Sequence, residues 1–186
     1  VSVTGHVYNV AHTPKGLPPH NDFASYKSQP SVQVLHMLEN ECEGGESIIV
    51  DGWKVAKDLK DEMPEYFSIL QNFNVPFREF DDENETYAEA PLIKCATDGT
   101  IESFRFSNQL MQMIDPRKEG VREFYKAYHE ISLRVHDKKY QSTFRLNAGE
   151  ALIVASLRVL HAREPFIPKG KRHLQDAYFC YDNAAN

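Results

Sequence analysis

The amino-acid sequence predicts a mainly β protein with a helical insertion. Stretches rich in β-forming residues lie near both ends of the chain, and amphipathic helical patterns lie between them. No repeat or Gly/Ser-rich linker divides the 186 residues, of which 41% are hydrophobic. That length and composition suit one domain with a buried core. We therefore expect a single domain over residues 1–186, with the strands of its two ends paired in space.

The first part of the chain contains two β-type segments. "SVQVLHMLEN" (31–40) is an apolar run rich in β-forming residues, and "ESIIVDG" (46–52) follows it across Gly44 and Gly45. Adjacent glycines mark turns, so these two segments predict a strand pair.

Helical patterns and an irregular segment follow. "DGWKVAKDLKDEMPEYFSIL" predicts short helices broken at Pro64, because proline cannot continue a helix interior, and Asp51 is expected to cap the first helix. Residues 72–100 are acidic and rich in turn residues, which predicts a surface excursion. Apolar residues then recur with i, i+3, i+4 spacing from Val121 to Val135, which predicts an amphipathic helix over about 116–137.

Three β-like stretches close the chain. They are "STFRLNAGEALIVAS", "RVLHAREPF" and "RHLQDAYFCYD". We expect them to pair with the strands near the N-terminus, so that the helical part forms an insertion between two strand-rich halves.

Charge and composition exclude several classes of partner. The net charge is -6 and the pI is about 5.7, and the basic residues are scattered, so no track for a phosphate backbone is present. No apolar run approaches the roughly 18 residues of a membrane span. Three distant cysteines, Cys42, Cys95 and Cys180, are typical of reduced thiols. We expect a soluble cytoplasmic protein that binds neither nucleic acid nor a membrane.

A histidine and an aspartate two residues apart, His20 and Asp22, form the most informative short motif. The pair alone is a weak signal, but His161 lies in a β-type stretch far along the chain, and neighbouring strands can bring such residues together. Two imidazoles and one carboxylate leave positions open for a co-substrate and O2, which favours Fe(II), whereas zinc more often takes a third His or Cys ligands. We predict that these three residues form a catalytic iron site.

An arginine follows the second histidine by eleven positions. The planar guanidinium of Arg172 can make a two-pronged contact with a carboxylate that lysine cannot reproduce. Arg158 and Arg163 are alternatives for this contact, and Arg163 shares the strand face of His161.

Ordered blocks along the chain carry a resemblance to a known family: "HND", "VLHMLENECEGGESIIVDGWKVAKDL", "SFRFSNQ", "FRLNAGEALIVASLRVLHARE" and "RHLQDAY". Over about residues 9–182 the chain resembles the γ-butyrobetaine and trimethyllysine hydroxylases, within the taurine-dioxygenase-like Fe(II)/2-oxoglutarate oxygenases. The resemblance implies a double-stranded β-helix (jelly roll), with Fe(II) on His20, Asp22 and His161, and 2-oxoglutarate on Arg172 beside Leu35. It also implies further chain before this segment, so that residues 1–186 would be a catalytic domain missing its N-terminal part, and a homodimer as one expected assembly.

The resemblance further implies a substrate pocket. Six positions match or adjoin substrate-contacting residues of the family: Asn9, His12, Phe23, Ser107, Asn108 and Tyr178. His12, Phe23 and Tyr178 would surround a trimethylammonium group by cation–π attraction. His12 and Phe23 stand where the family has tyrosines. Ser107 replaces an asparagine, and Arg105 could instead meet a second anionic group of the substrate.

These observations predict a hydroxylase that uses Fe(II), 2-oxoglutarate and O2 on a small betaine-type substrate similar to γ-butyrobetaine. One alternative is that the substrate is trimethyllysine or a trimethylammonium phosphonate. Another is a non-catalytic metal-binding jelly-roll module, which would have no need of a carboxylate-binding arginine at position 172.

Overall fold

The structure is a computed structural model, and it describes residues 10–184. Its α-helices are α1 (Gly52–Glu62), α2 (Pro64–Asn72), α3 (Val121–His136) and α4 (Tyr181–Ala184). Its strands are β1 (Leu17–His20), β2 (Val32–Asn40), β3 (Glu43–Gly44), β4 (Ser47–Asp51), β5 (Val75–Phe80), β6 (Glu85–Ala90), β7 (Ile93–Cys95), β8 (Ile101–Phe104), β9 (Gln141–Phe144), β10 (Ala151–Ala155), β11 (Val159–Arg163), β12 (Phe166–Ile167) and β13 (Arg172–Phe179).

Two antiparallel sheets form the centre of the fold. The larger sheet has the strand order β1-β11-β4-β9, and the smaller sheet has the order β10-β2-β13. A cavity lined by residues of both sheets lies between them. The architecture is a jelly roll, which confirms the predicted fold class. The expected pairing of the two ends of the chain is also confirmed, because β1 pairs with β11 and β2 with β13.

The predicted strand pair between residues 31–40 and 46–52 is wrong. Both segments are strands, but β2 belongs to the smaller sheet and β4 to the larger one. Gly44 and Gly45 have φ angles of 79° and 75°, and here they carry the chain from one sheet to the other instead of closing a hairpin. The Arg145 guanidinium holds this crossing by donating to the backbone carbonyls of Asn40, Cys42 and Gly44 at 3.2, 2.7 and 3.0 Å.

The predicted surface excursion over residues 72–100 is also wrong. β5 pairs with β6, and β7 pairs with β8, so most of the segment is two antiparallel pairs. Val75 and Phe77 are buried on one face of β5, while acidic residues occupy exposed positions of the hairpin. The high proportion of charged residues masked this alternation, because only every second position of a half-exposed strand needs to be apolar.

The helical predictions are largely confirmed. α1 and α2 are separated at Met63, directly before Pro64, and the Asp51 side chain caps α1 by accepting from the N–H groups of Trp53 and Lys54 at 3.1 and 3.2 Å. α3 begins at Val121, later than predicted, because Gly120 adopts a left-handed φ of 77° and interrupts the helical backbone before it.

The main core lies between the larger sheet and the helices. Val50 on β4 and Leu160 on β11 are opposite each other and fully buried, and both join the core with residues of α1, α2 and α3. Side chains alternate along a strand, so His161 next to Leu160 faces the cavity between the sheets. Within the described residues, no helix has the length and apolar character needed to cross a membrane.

Candidate metal centre and adjoining pocket

The larger sheet brings the two predicted histidines together. His20 at the end of β1 is in register with His161 on β11, and their ring centroids are 4.3 Å apart. Asp22 follows in the turn after β1, with its two carboxylate oxygens 3.4 Å from His20 Nε2 and 3.6 Å from His161 Nε2. One donor atom from each of the three residues lies within 4.8 Å of the others. The structure thus forms the cluster that residue types and spacing predicted.

Burial and mutual charge set the protonation of the cluster. Burial and the nearby His20 together lower the pKa of His161 to about 4, so this imidazole is neutral at physiological pH. Burial alone would raise the pKa of the Asp22 carboxyl, but the hydrogen bond and charge of His20 and the charge of His161 hold the pKa well below its ordinary value. A neutral imidazole beside an ionised carboxylate is the form that binds a metal.

Hydrogen bonds orient the ligand side chains. His20 Nδ1 lies 2.8 Å from the carbonyl of Pro18, which leaves Nε2 to face the cluster. Asp22 Oδ2 accepts from Gln33 Nε2 at 2.6 Å and from the Tyr178 hydroxyl at 2.7 Å. Gln33 is 2% exposed and was not singled out from the sequence, although it is a polar residue in the buried row that includes Leu35 and Met37 on β2.

The turn that carries Asp22 is held from inside the protein. Asn21 is 1% exposed, and its side chain donates to the carbonyl of Ser156 and accepts from the N–H of Phe106, both at 2.8 Å. Phe23 has a φ of 54°, a left-handed conformation that a bulky residue rarely adopts. Its ring packs edge-on against Tyr178 at 4.6 Å. Asn21 was not predicted, since a buried hydrogen-bonding role leaves no pattern in the sequence.

The cluster opens into a cavity of about 260 Å³ between the two sheets. Two arginines line the cavity, and both guanidinium groups lie over the Phe166 ring, Arg163 at 4.9 Å and Arg172 at 5.1 Å. Leu35 lines the same cavity and is 7% exposed. The cavity therefore offers cationic groups and an apolar wall close to the candidate metal ligands.

The two arginines differ in their hydrogen bonding. Arg163 donates to the carbonyls of Ala11, Thr13 and Lys15 at 3.1, 2.7 and 2.6 Å. Arg172 makes no side-chain hydrogen bond or ion pair among the described residues, and its Nε is buried without a partner. Burial lowers the pKa of both guanidinium groups, that of Arg163 to about 10. Both remain charged, so Arg172 is the guanidinium free to bind an anion.

The third candidate arginine lies elsewhere. Arg158 forms a two-pronged contact with the Asp51 carboxylate, at 3.1 and 2.5 Å, and it does not line the cavity. Its guanidinium also lies over the Trp53 ring at 5.3 Å. Arg158 therefore supports the start of α1 and has no contact with the pocket.

The structure brings most of the predicted substrate positions into the cavity lining, namely His12, Phe23, Ser107 and Tyr178. Asn108 is exposed, accepts a hydrogen bond from the Tyr128 hydroxyl and does not line the cavity. Asn9 lies outside the described residues. Arg105 donates to the backbone carbonyls of Ala24 and Tyr26 and is absent from the lining, so it holds the turn after the candidate metal ligands.

Two further residues that the sequence analysis did not single out line the cavity, Glu79 and Gln109. Glu79 lies on β5, in the segment predicted to be a surface excursion, and Gln109 lies in the loop after β8. The acidic residues Asp22, Glu79 and Asp176 therefore line the same cavity as the two arginines. A signal for Glu79 exists in the sequence, because it continues the period-two row of Val75 and Phe77.

The donor set fits a divalent iron ion. Two imidazoles and one carboxylate offer three donor atoms close together, the contact of His20 Nδ1 with the Pro18 carbonyl leaves Nε2 for an ion, and the same three residues line the cavity. An unpaired guanidinium in the same cavity suits an anionic co-substrate. The jelly roll and this site together have the architecture of the Fe(II)/2-oxoglutarate oxygenases.

Comparison with known proteins identifies the family. Residues 2–178 match the family described as "Taurine catabolism dioxygenase TauD, TfdA family", and the chain belongs to that family. It is 33% identical over 169 residues to a "Gamma-butyrobetaine dioxygenase" of Pseudomonas sp. (strain AK-1), covering 90% of this chain and 44% of the relative. A "Trimethyllysine dioxygenase" of Meyerozyma guilliermondii is 27% identical, with 94% of this chain and 45% of the relative covered.

Solved structures support the same fold. An asparagine oxygenase in complex with Fe(II), hydroxyasparagine and succinate has a TM-score of 0.71 at 18% identity, and the match covers 96% of this chain and 55% of that chain. At this identity the similarity is evidence for the fold alone. The chain spans a little under half the length of the curated relatives it matches.

Proposed function

We propose that this protein is an Fe(II)- and 2-oxoglutarate-dependent hydroxylase of a small quaternary-ammonium substrate similar to γ-butyrobetaine. One observation carries the proposal: His20, Asp22 and His161 share a cavity with Arg172, whose guanidinium has no hydrogen-bond or ion-pair partner among residues 10–184. A metal-binding module without turnover would bury a free guanidinium for no purpose, since an unpaired buried polar group costs stability. Membership of the TauD/TfdA family supports the enzyme over the module.

Different residues of the cavity would bind the iron ion and the co-substrate. His20, Asp22 and His161 would hold Fe(II), which when bound supplies the chemistry that couples loss of CO2 from 2-oxoglutarate to conversion of a substrate C–H bond into C–OH, with one O2 atom entering the hydroxyl group and the other succinate. Arg172 would bind the distal carboxylate of 2-oxoglutarate through its planar fork. Leu35 would pack against the co-substrate and exclude water from that side.

The substrate end of the proposal rests on aromatic side chains. His12, Phe23 and Tyr178 line the cavity, and an aromatic face attracts a quaternary ammonium by about 0.5–2 kcal/mol depending on desolvation. Tyr178 would have a second task, because its hydroxyl group also contacts the Asp22 carboxylate. Ser107 lines the pocket beside them, and a contact of Asn9 or Asn108 with substrate stays a prediction.

A second candidate substrate is trimethyllysine, because a trimethyllysine dioxygenase is among the relatives. A trimethylammonium phosphonate is less well supported, since Arg105 donates to two backbone carbonyls and does not line the cavity. A cytoplasmic location, a homodimer and a single catalytic domain lacking its N-terminal part also stay predictions.

The test is succinate formation by the purified protein with Fe(II), 2-oxoglutarate, O2 and each candidate substrate in turn. We expect γ-butyrobetaine to raise 2-oxoglutarate consumption well above the level without substrate, with one succinate formed per hydroxylated product. Stimulation by trimethyllysine alone would move the assignment to the second candidate. If no quaternary-ammonium compound raises consumption, the proposed substrate class is wrong.

A further inference from the structure

Glu79 points into the protein from an otherwise apolar row. Side chains alternate along β5, so Glu79 shares a face with Val75 and Phe77, which are 0% and 1% exposed. The opposite face carries Arg78, which pairs with Glu85 on β6 at 2.8 Å. A charged residue at the end of a buried row is unusual unless a partner compensates it. Here the row ends at the cavity of the metal centre.

Glu79 lacks the partners that neighbouring carboxylates have. Asp81 accepts from two backbone N–H groups, Glu85 pairs with Arg78, and Glu89 accepts from the Tyr87 hydroxyl at 2.6 Å. Among the described residues, the Glu79 side chain makes no hydrogen bond and no ion pair. Asp82 and Glu83 also have no such partner among the described residues, but both are exposed in the turn, whereas Glu79 lines the cavity. The hydrogen-bonding capacity of Glu79 is therefore left for a molecule in the cavity.

The charge around Glu79 is negative. Partial burial raises the pKa of Glu79, and the charges of Asp22 and Asp81 raise it further. Asp22 would be neutralised by the ion that it binds, whereas Glu79 has no such partner. The cavity is therefore lined both by the guanidinium of Arg172 and by the Glu79 carboxylate, neither of which has a hydrogen-bond or ion-pair partner among the described residues.

We infer that Glu79 binds the cationic group of the substrate and makes the pocket selective for positive charge. The inference rests on the proposed function and deepens it, because it names the residue that supplies charge recognition in addition to the aromatic contacts of Phe23 and Tyr178. A carboxylate attracts a quaternary ammonium by charge alone, without a hydrogen bond. It compensates for an aromatic wall with few tyrosines.

The experiment compares a cation with a neutral molecule of the same shape. Binding of γ-butyrobetaine and of its carbon isostere, in which a quaternary carbon replaces the nitrogen, is measured by calorimetry without O2 on the protein loaded with Fe(II) and 2-oxoglutarate. Glu79→Gln removes the charge and keeps the shape. Glu83→Gln is the matched control, since Glu83 lies exposed in the turn of the same hairpin.

We expect the wild type to prefer the cation, and Glu79→Gln to weaken γ-butyrobetaine binding about tenfold, equivalent to about 1.4 kcal/mol. The isostere should bind Glu79→Gln and wild type within about twofold, and Glu83→Gln should match the wild type for both ligands. The inference is overturned if Glu79→Gln binds γ-butyrobetaine as the wild type does, if it loses both ligands equally, or if the wild type shows no preference for the cation.

Turnover is scored separately from binding. A wild type that prefers the cation in binding but hydroxylates no betaine would contradict the proposed function and still support charge recognition by Glu79. A wild type that hydroxylates betaines, with Glu79→Gln equally selective for the cation, would support the function and contradict the role of Glu79.

Discussion

The cavity is lined by basic residues and by acidic residues, and in each of these two groups one side chain is fixed and another is available to a ligand. Among the basic residues, Arg163 is held by three backbone carbonyls, whereas Arg172 has no hydrogen-bond or ion-pair partner within residues 10–184, so one cation supports the fold and the other is available to a ligand. Among the acidic residues, Asp22 is fixed by Gln33 and Tyr178, whereas Glu79 has no such partner in the described part of the chain. Each group therefore combines a fixed charge with an available one. A pocket of this kind orients a ligand by its charges as well as by its shape.

The largest effect is expected at the acidic residue of the candidate ligand cluster. Asp22→Ala removes the only carboxylate of the ligand cluster and should lower iron affinity by more than about 100-fold, with succinate formation falling below detection. Metal content after dialysis and succinate yield measure the two effects. Asp82→Ala, an exposed change of the same charge, should leave both unchanged. Wild-type metal content in Asp22→Ala would contradict the ligand assignment.

The next effect separates the two arginines. Arg172→Lys replaces a planar fork with a point charge and should raise the 2-oxoglutarate concentration needed for half-maximal activity by about tenfold or more. Arg163→Lys should instead lower the free energy of unfolding by about 1–3 kcal/mol, because hydrogen bonds to three carbonyls are disturbed. Co-substrate titration and urea unfolding of both variants check this. If the two variants exchange these effects, Arg163 is the co-substrate ligand.

A smaller effect is expected from the hydrogen bond that orients Asp22. Gln33→Leu keeps the side-chain size and removes the donor 2.6 Å from Asp22 Oδ2, so iron affinity should fall by about tenfold. Gln175→Leu is the control, because it makes the same substitution at an exposed position of β13 in the same, smaller sheet. Competition with a metal chelator measures the affinity, and equal values for the two variants would remove Gln33 from the metal site.

The smallest effect is expected outside the cavity, at Asp51. Asp51→Ala removes the cap of α1 and the partner of Arg158, and should lower the free energy of unfolding by about 1 kcal/mol at neutral pH. Burial alone would raise the pKa of Asp51, but hydrogen bonds from Arg158 and from two backbone N–H groups lower it below 3.8. The stabilisation that Asp51 contributes is therefore fully present above pH 3.8 and is lost as the pH falls through the lowered pKa. Urea unfolding of both proteins at neutral and acid pH should show the difference vanish in acid, with iron binding unaffected.

Local patterns predicted much of the fold. Proline at position 64 and the spacing of apolar residues in α3 predicted helices that the structure contains, because helix formation depends on neighbours within one or two turns. Residues 31–40 were correctly predicted as a strand, but the predicted pairing with residues 46–52 was wrong, because the Gly44–Gly45 turn is compatible both with a hairpin and with a crossing between sheets. The β5–β6 hairpin was missed because its charges hide a period-two row.

By itself the sequence determined the chemistry of the site: two imidazoles, a carboxylate and an arginine, whose residue types limit the ions and anions that can bind. Only the tertiary structure decided which charges are free. Arg163 is occupied by carbonyls 148 to 152 positions away in the chain, and Glu79 faces the cavity because β5 packs beside it. The physical reason is that a side chain's identity is local, whereas its hydrogen-bond partners come from segments that only the folded sheets bring together.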